Sequence, residues 1–206
     1  MTDYPDLVQQ ISTCEKCGLS EGRNKSVPGD GALDADIMFI GEGPGYHEDR
    51  QGLPFVGQAG NLLNEMLASI GLSRHDVYIT NMVKCRPPNN RDPFPAELRS
   101  CAPYLDAQIE LIQPKVIVAL GRFSFAKFFP NESISRARGR PRNWRDLVIY
   151  PMYHPAAALH NPGLRPAIQR DFSALPELIR EVAERQATGD TQERESESAQ
   201  QLSMFE

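Results

Sequence analysis

No run of 18 or more apolar residues occurs in the sequence, so no segment of it is long enough to span a bilayer as a helix. The opening residues, MTDYPDLVQQ, lack the basic-then-apolar order of a secretory leader, and the cytoplasm is the expected compartment. Cysteine is scarce, at four in 206 residues. In a reducing compartment so few thiols are expected as metal ligands, reactive groups or core fillers rather than as disulfides. There is no internal repeat, and 206 residues suit one domain with a well-buried core better than two. Both common phosphate-loop patterns, G-x-x-x-x-G-K-S/T and G-x-G-x-x-G, are missing as well.

Nor is there an excess of positive charge. The net charge is −5, which at face value disfavours a phosphate-rich partner. The deficit is concentrated in residues 186 to 206, where Asp190, Glu193, Glu195, Glu197 and Glu206 face Arg194 alone; the rest of the chain is close to neutral. Within that rest, Arg136 to Arg145 holds five arginines and no acid. Its glycine and proline exclude a regular helix, so it reads as a basic loop, either solvated surface or phosphate contact. Residues 186 to 200 have the polar, acidic composition of a disordered linker, with no apolar residue larger than alanine, and larger ones reappear only in the last six, QLSMFE.

Four short apolar runs are present: Asp36 to Gly41, Val77 to Asn81, Val116 to Gly121 and Leu147 to Met152. Rich in Ile and Val and closed by polar or glycine residues, they predict buried parallel strands. Helical spacing appears between them, over Gly57 to Ile70, Ala96 to Ile112, from Phe123 onward, and over Arg165 to Arg185. The alternation predicts an α/β sheet covered by helices on both faces. In such folds ligands bind beyond the carboxyl ends of the strands, and the motifs below fall there.

Cys14 and Cys17 form C-x2-C, while Cys85 and Cys101 lie 16 apart around a proline-rich segment. Four thiolates can complete a zinc site or hold a four-iron four-sulfur cluster, and the spacing alone leaves both open beside free core cysteines. The first predicted strand runs into GEGPGYHEDRQGLPFVGQAG, whose glycines let the backbone approach a ligand, while Glu42, Glu48 and Asp49 would repel phosphate. Phe55 in this loop is either a core plug or a stacking platform. Asn81 ends the second strand as a cap or as an amide aimed into a cleft. His154, in MYHPAA, ends the fourth as a structural residue or a donor. Their common sheet edge favours the functional reading of each.

These motifs together resemble the family 4 uracil-DNA glycosylases over roughly residues 10 to 180: GEGPG with EDRQGLPFVGQAG, the segment NMVKCRPPNNRDP, the cysteine spacing and HPAA all match in order. The resemblance implies an α/β/α sandwich around a four-stranded parallel sheet, with one four-iron four-sulfur cluster on Cys14, Cys17, Cys85 and Cys101. It implies a monomeric enzyme of residues 1 to 185 that flips uracil out of DNA, single- or double-stranded, and cuts its glycosidic bond. In that reading Phe55 stacks on the base, and Asn81 donates to its 4-carbonyl and accepts from its ring N–H. His154 donates to the 2-carbonyl, aided by backbone N–H groups around Glu42 and Gly43. Glu42 is the expected general base or electrostatic residue, Glu48 fills the space of a thymine methyl, and Asp49 is a second water activator.

The departures from related families matter equally. The loop G-Q-D-P-Y of family 1 has its Asp and Tyr replaced here by Gly43 and Gly45, so the usual water activator and methyl block are absent from those places. The histidine of covalently trapping relatives has no counterpart in FFPNESISRARGRPRNW, and turnover is expected. Leu159 to Leu164 stand where the superfamily inserts a wedge. Pro44 and Pro155, with neighbouring amides, are expected to grip phosphates, with Lys84, Arg86, Arg136, Arg138 and Arg140 as cationic contacts. QLSMF resembles a peptide that binds the replication sliding clamp, with Gln201 as polar anchor and Leu202, Met204 and Phe205 filling an apolar pocket. Two rival readings stand beside this one: a glycosylase of the same fold acting on other deaminated bases, and a non-catalytic zinc-bound DNA-binding module.

Overall fold

A computed structural model of the chain describes residues 3–185. The expected linker and the peptide with Gln201, Leu202, Met204 and Phe205 lie outside the described residues. The elements run α1 (Tyr4–Ser12), β1 (Asp30–Gly31), β2 (Ile37–Gly41), α2 (Tyr46–Gln51), α3 (Gln58–Ser69), β3 (Tyr78–Asn81) and α4 (Pro95–Ile112). They continue with β4 (Val116–Leu120), α5 (Arg122–Phe128), α6 (Ile134–Ala137), β5 (Arg142–Trp144), β6 (Leu147–Met152), α7 (Pro155–His160) and α8 (Arg165–Ser173).

The strands order as β1-β3-β2-β4-β6-β5. The four predicted strands, β3, β2, β4 and β6, are mutually parallel. The two edges, β1 and β5, are antiparallel additions that sequence reading missed. Each is only two or three residues long and carries no apolar run, which is why no pattern announced it.

Strand alternation builds the two cores. In β2, Ile37 and Phe39 face one side while Met38 and Ile40 face the other; in β4, Val116, Val118 and Leu120 oppose Ile117 and Ala119. On the first side Leu62, Leu63, Met66 and Leu67 of α3 pack with Ile168 and Phe172 of α8, and Phe39 stacks on Phe172 with ring centroids 5.8 Å apart. On the second side Leu105 and Ile112 of α4 pack with Phe125 and Phe128 of α5. Both sheet faces are thereby removed from water, as a parallel sheet requires.

Helix ends follow local chemistry. Asp3 caps α1 by accepting from the Asp6 N–H, and Pro95 opens α4, where its missing donor costs nothing. The predicted helix over Arg165 to Arg185 is two pieces: α8 stops at Ser173, Ala174 forms a turn, and residues 175–185 are helical again.

The basic stretch from Arg136 is not one loop. It starts in α6, runs through β5 and ends in the turn at Arg145, and Arg138 lies against buried Asp171, donating to both carboxylate oxygens at 2.8 and 3.1 Å. Arg138 therefore serves the fold rather than a phosphate, while Arg136 and Arg140 remain exposed.

The parallel order places β2 between β3 and β4. The chain leaves β2 toward one side, returns, and continues on the other, so the loops beyond β2 and β4 diverge. A crevice opens at the carboxyl ends there.

Candidate active site

That crevice is a cleft of about 540 Å³ lined by Glu42, Gly43, Pro44, Glu48, Phe55, Asn81 and His154, among others. It gathers residues from the ends of β2, β3 and β6. Asn81 is the last residue of β3, paired in register with Gly41 of β2 and 1% exposed. Its Oδ1 is the one buried side-chain polar atom without a hydrogen-bond partner among the described residues. A side chain at Gly41 would collide with both Asn81 Oδ1 and the Phe55 ring, so glycine there lets amide and ring close over the strand end.

Phe55 is buried and adopts a positive φ of 52°, a strained conformation for this residue worth about 1–3 kcal/mol. Three contacts hold it. Arg74 donates to the Phe55 carbonyl at 3.1 Å and to the Pro54 carbonyl at 2.6 Å. Gly60 lets the Phe55 carbonyl pack against α3, where any Cβ would clash. Glu48 accepts from the Val56 and Gly57 N–H groups at 2.9 and 2.8 Å and from the Gly45 N–H at 3.1 Å. Glu48 thus ties the glycine turn after β2 to the loop that carries Phe55, besides lining the cleft.

The Phe55 and His154 rings stack with centroids 5.3 Å apart and planes 26° from parallel, forming one wall. His154 precedes α7, and its Nδ1 accepts from the Ala156 N–H at 3.1 Å. An accepting Nδ1 puts the proton of the neutral ring on Nε2. Burial pushes its pKa down to about 4, with the Glu48 charge opposing weakly, so at neutral pH the ring is an uncharged donor. Glu42 has the opposite perturbation. Burial, and then the charge of Asp92, raise its carboxyl, while Arg122 pulls it down. Asp92 lines the same cleft and pairs with Arg122.

The chain matches the model of the uracil DNA glycosylase superfamily over residues 28–176. It is 48% identical over 188 residues to a type-4 uracil-DNA glycosylase of Sulfurisphaera tokodaii, covering 86% of each chain. An Archaeoglobus fulgidus protein of the same name is 49% identical, with 86% of this chain and 94% of that one covered. A Thermotoga maritima protein of that name is 44% identical over 84% of this chain and 92% of its own. The chain belongs to the type-4 uracil-DNA glycosylases. Within that family assignment, the fold is the expected α/β sandwich.

Several residues expected at the site of a type-4 uracil-DNA glycosylase stand elsewhere. Asp49 is 1% exposed, does not line the cleft, and accepts from the Asn24 backbone N–H at 2.9 Å and from its side-chain amide. Its carboxylate holds residue 24 and stands apart from the cleft. Lys84 cannot touch a phosphate: it is 1% exposed, and its Nζ donates to Thr80 Oγ1, Asn81 O and Gln108 Oε1 at 2.6, 2.8 and 2.6 Å. The expected wedge is not one open loop: Leu159 and His160 end α7, whose first residue, Pro155, is buried, and Pro162–Leu164 form a short 3-10 turn. Leu164 packs on the core, and Leu159, 43% exposed, is the one exposed large hydrophobic side chain there. Missed altogether were Arg74, Arg122 and the cleft residue His160, which stand in no recognisable pattern, and Asn90 and Asp92, which lie in the NMVKCRPPNNRDP segment without having been singled out.

The four cysteines line one cavity between α1, the segment after β3 and α4. N–H groups reach three of the sulfurs: Lys16 to Cys14 at 3.5 Å, Arg23 to Cys85 at 3.4 Å and the Lys84 backbone to Cys101 at 3.3 Å. Among the described residues no three of His, Cys, Asp or Glu converge on a single-ion point. The thiols ring a space instead.

In an NMR titration the His154 ring is expected to keep its neutral, Nε2-protonated signature well below pH 6.5 and to change only near pH 4. The unfolded ring takes up a proton near its ordinary value of 6.5, whereas the folded one does not until about 4. Stability is therefore lost as pH falls through that window. A ring that titrates at 6 or above contradicts this description.

Proposed function

We propose that this protein removes uracil from DNA by hydrolysing the bond between base and deoxyribose, leaving an abasic site. The observation that carries the reading is the orphaned Asn81 Oδ1 in a cleft shared with an aromatic ring, a neutral imidazole and a carboxylate. A buried acceptor left unpaired costs about 1–3 kcal/mol, which a ligand N–H can offset. Uracil presents an N–H at ring position 3 and a carbonyl at position 4, matching the Asn81 Oδ1 and amide. Cytosine presents the reverse pattern and would leave both sides unpaired.

The chemistry follows from where charge develops. As the glycosidic bond breaks, its electron pair moves onto the base and positive charge grows on the sugar. Phe55 stacks the flipped ring, and the Nε2–H of His154 donates to the 2-carbonyl, where negative charge accumulates. Glu42, its carboxyl pKa raised, takes a proton from the attacking water as the water oxygen bonds to C1′; in the same position its charge offsets the sugar cation. Uracil leaves as an anion and is protonated in solvent. Gly43 and Pro44 line the approach to the base, with Arg86, Arg136, Arg140 and Leu159 as the DNA contacts that remain after Lys84, Arg138 and Leu164 are withdrawn. The protein acts on uracil-containing DNA in the cytoplasm, as a monomer of which residues 1 to 185 form the catalytic unit.

Cys14, Cys17, Cys85 and Cys101 would hold one four-iron four-sulfur cluster. Four thiols lining one cavity, three of them with N–H donors aimed at sulfur, suit such a cluster. Bound there, the cluster would pin α1 and the proline-rich segment after β3 to α4. The terminal QLSMF would tether the enzyme to the sliding clamp, the linker supplying effective concentration near DNA.

Incubation with a uracil-containing oligonucleotide followed by alkali should give strand cleavage, absent from a thymine control. Asn81→Asp should lose the preference for uracil over cytosine by about tenfold or more, and unchanged selectivity would refute the pairing. Purified protein should be brown with broad visible absorbance, bleached in Cys85→Ser; a colourless protein containing zinc discards the cluster. Removal of residues 201 to 206 should abolish capture on immobilised clamp, whereas capture by the truncated chain rules the tether out.

A further inference from the structure

Beside the cleft lies a surface of which the mechanism above uses Arg86 alone, and only as a general DNA contact. Tyr46 opens α2 directly after Gly45, which lines the cleft, and its side chain is 49% exposed. Two guanidinium groups gather on the ring. That of Arg86 stands 5.3 Å from the ring centroid and that of Arg50 5.7 Å, with Arg50 Nη1 donating to the tyrosine oxygen at 3.4 Å. Arg86 is fixed from the other side, its Nε donating to Asn90 Oδ1 at 2.7 Å, and Asn90 again lines the cleft. The group is thus continuous with the wall of the uracil site.

Its charge is also uncommitted. Arg74, Arg91, Arg122, Arg138, Arg142 and Arg165 each pair with a carboxylate. Among the described residues neither Arg50 nor Arg86 does so; an aromatic face and an amide hold them instead. Guanidinium groups ordered in this way, weakly hydrated and without a counter-ion, suit a phosphate. The exposed ring suits a base, because every base has a face that stacks on an aromatic side chain. When a nucleotide flips out, its neighbour loses a stacking partner, and a ring at the mouth of the cleft can replace it.

We propose that Tyr46, Arg50 and Arg86 form a subsite for the nucleotide adjacent to the flipped uracil, with its base on the Tyr46 ring and its phosphate at the guanidinium groups. The inference rests on the uracil-excising reading. It adds a contact to the flanking nucleotide that none of the pocket residues supplies.

The test uses the full chain and short single-stranded oligonucleotides with a central uracil, in which the neighbouring nucleotides are either intact or lack their base. Tyr46→Ala should weaken binding to the intact oligonucleotide by about tenfold, the size of one lost stacking contact. For the substrate that lacks the stacking neighbour it should add almost nothing, because the partner of the ring is already gone. Tyr46→Phe should restore binding, and a Tyr46→Ala protein that melts with the wild type excludes unfolding as the cause. Arg86→Met should reduce the dependence of log affinity on log salt by about one. Independent, multiplying effects of Tyr46→Ala and base removal overturn the subsite, as does a Tyr46→Ala protein that binds both oligonucleotides like wild type. Binding of an acidic peptide in place of the oligonucleotide would overturn it too. Each of these failures leaves wild-type excision intact; a wild type that excises no uracil sinks the catalytic reading itself.

Discussion

An amide oxygen held out of water with nothing to bond is the constraint around which this molecule is arranged. Asn81 sits at the last position of a fully buried strand, where its neighbours are backbone already committed to the sheet. The chain gives up stabilisation at that atom, and the surrounding residues keep the side chain from relaxing. Gly41 provides the space, the Phe55 ring closes over it, and Phe55 in turn is fixed at a φ it would not choose. Strain and an unpaired polar group at one place are the signature of a site organised for a ligand rather than for its own stability.

Most of this frame is legible in the chain. The parallel strands appear as Ile- and Val-rich runs because both faces of each are covered, and α3 is visible in the spacing of Leu62, Leu63, Met66 and Leu67. Knowing that parallel strands deliver their loops to one edge was enough to bring Glu42, Phe55, Asn81 and His154 to the same cleft. What escaped was everything that depends on side-chain reach. Arg74 is 19 residues from the Phe55 carbonyl it holds, and no spacing rule links them. Asp49 and Glu48 are adjacent acids in one short helix, yet the helical turn sends one carboxylate toward the cleft and the other to Asn24. Composition could not separate them.

The same limit explains the basic residues. A count of arginines from 136 to 145 suggests an electrostatic surface, but Arg138 faces a carboxylate that is 5% exposed, and Arg142 joins an edge strand and pairs with Glu132. Arg50 and Arg86, far less conspicuous in the sequence, keep their charge available because aromatic and amide groups, not acids, position them. Whether a cation can meet a phosphate is decided by what else it touches, and that is a property of the fold.

Lys84 makes the case most sharply. Read along the chain it is a cation beside a cysteine, in a segment expected to meet DNA. In the fold it is a strut between two sites. Its backbone N–H reaches the sulfur of Cys101, while its ammonium group reaches the carbonyl of Asn81 and, through Thr80 and Gln108, the Pro28 carbonyl and the Tyr78 hydroxyl. Thr80, Asn81, Lys84 and Gln108 are all buried, so water cannot substitute for a lost contact. The cysteine cavity and the end of β3, three residues before Lys84, where the orphaned amide oxygen lies, therefore share one buried network. The segment from Asn81 to Cys85 joins the pocket to the cysteines through covalent chain and a buried hydrogen-bond network at once. Through that double connection, any group held by the four cysteines would be coupled to the geometry of the cleft.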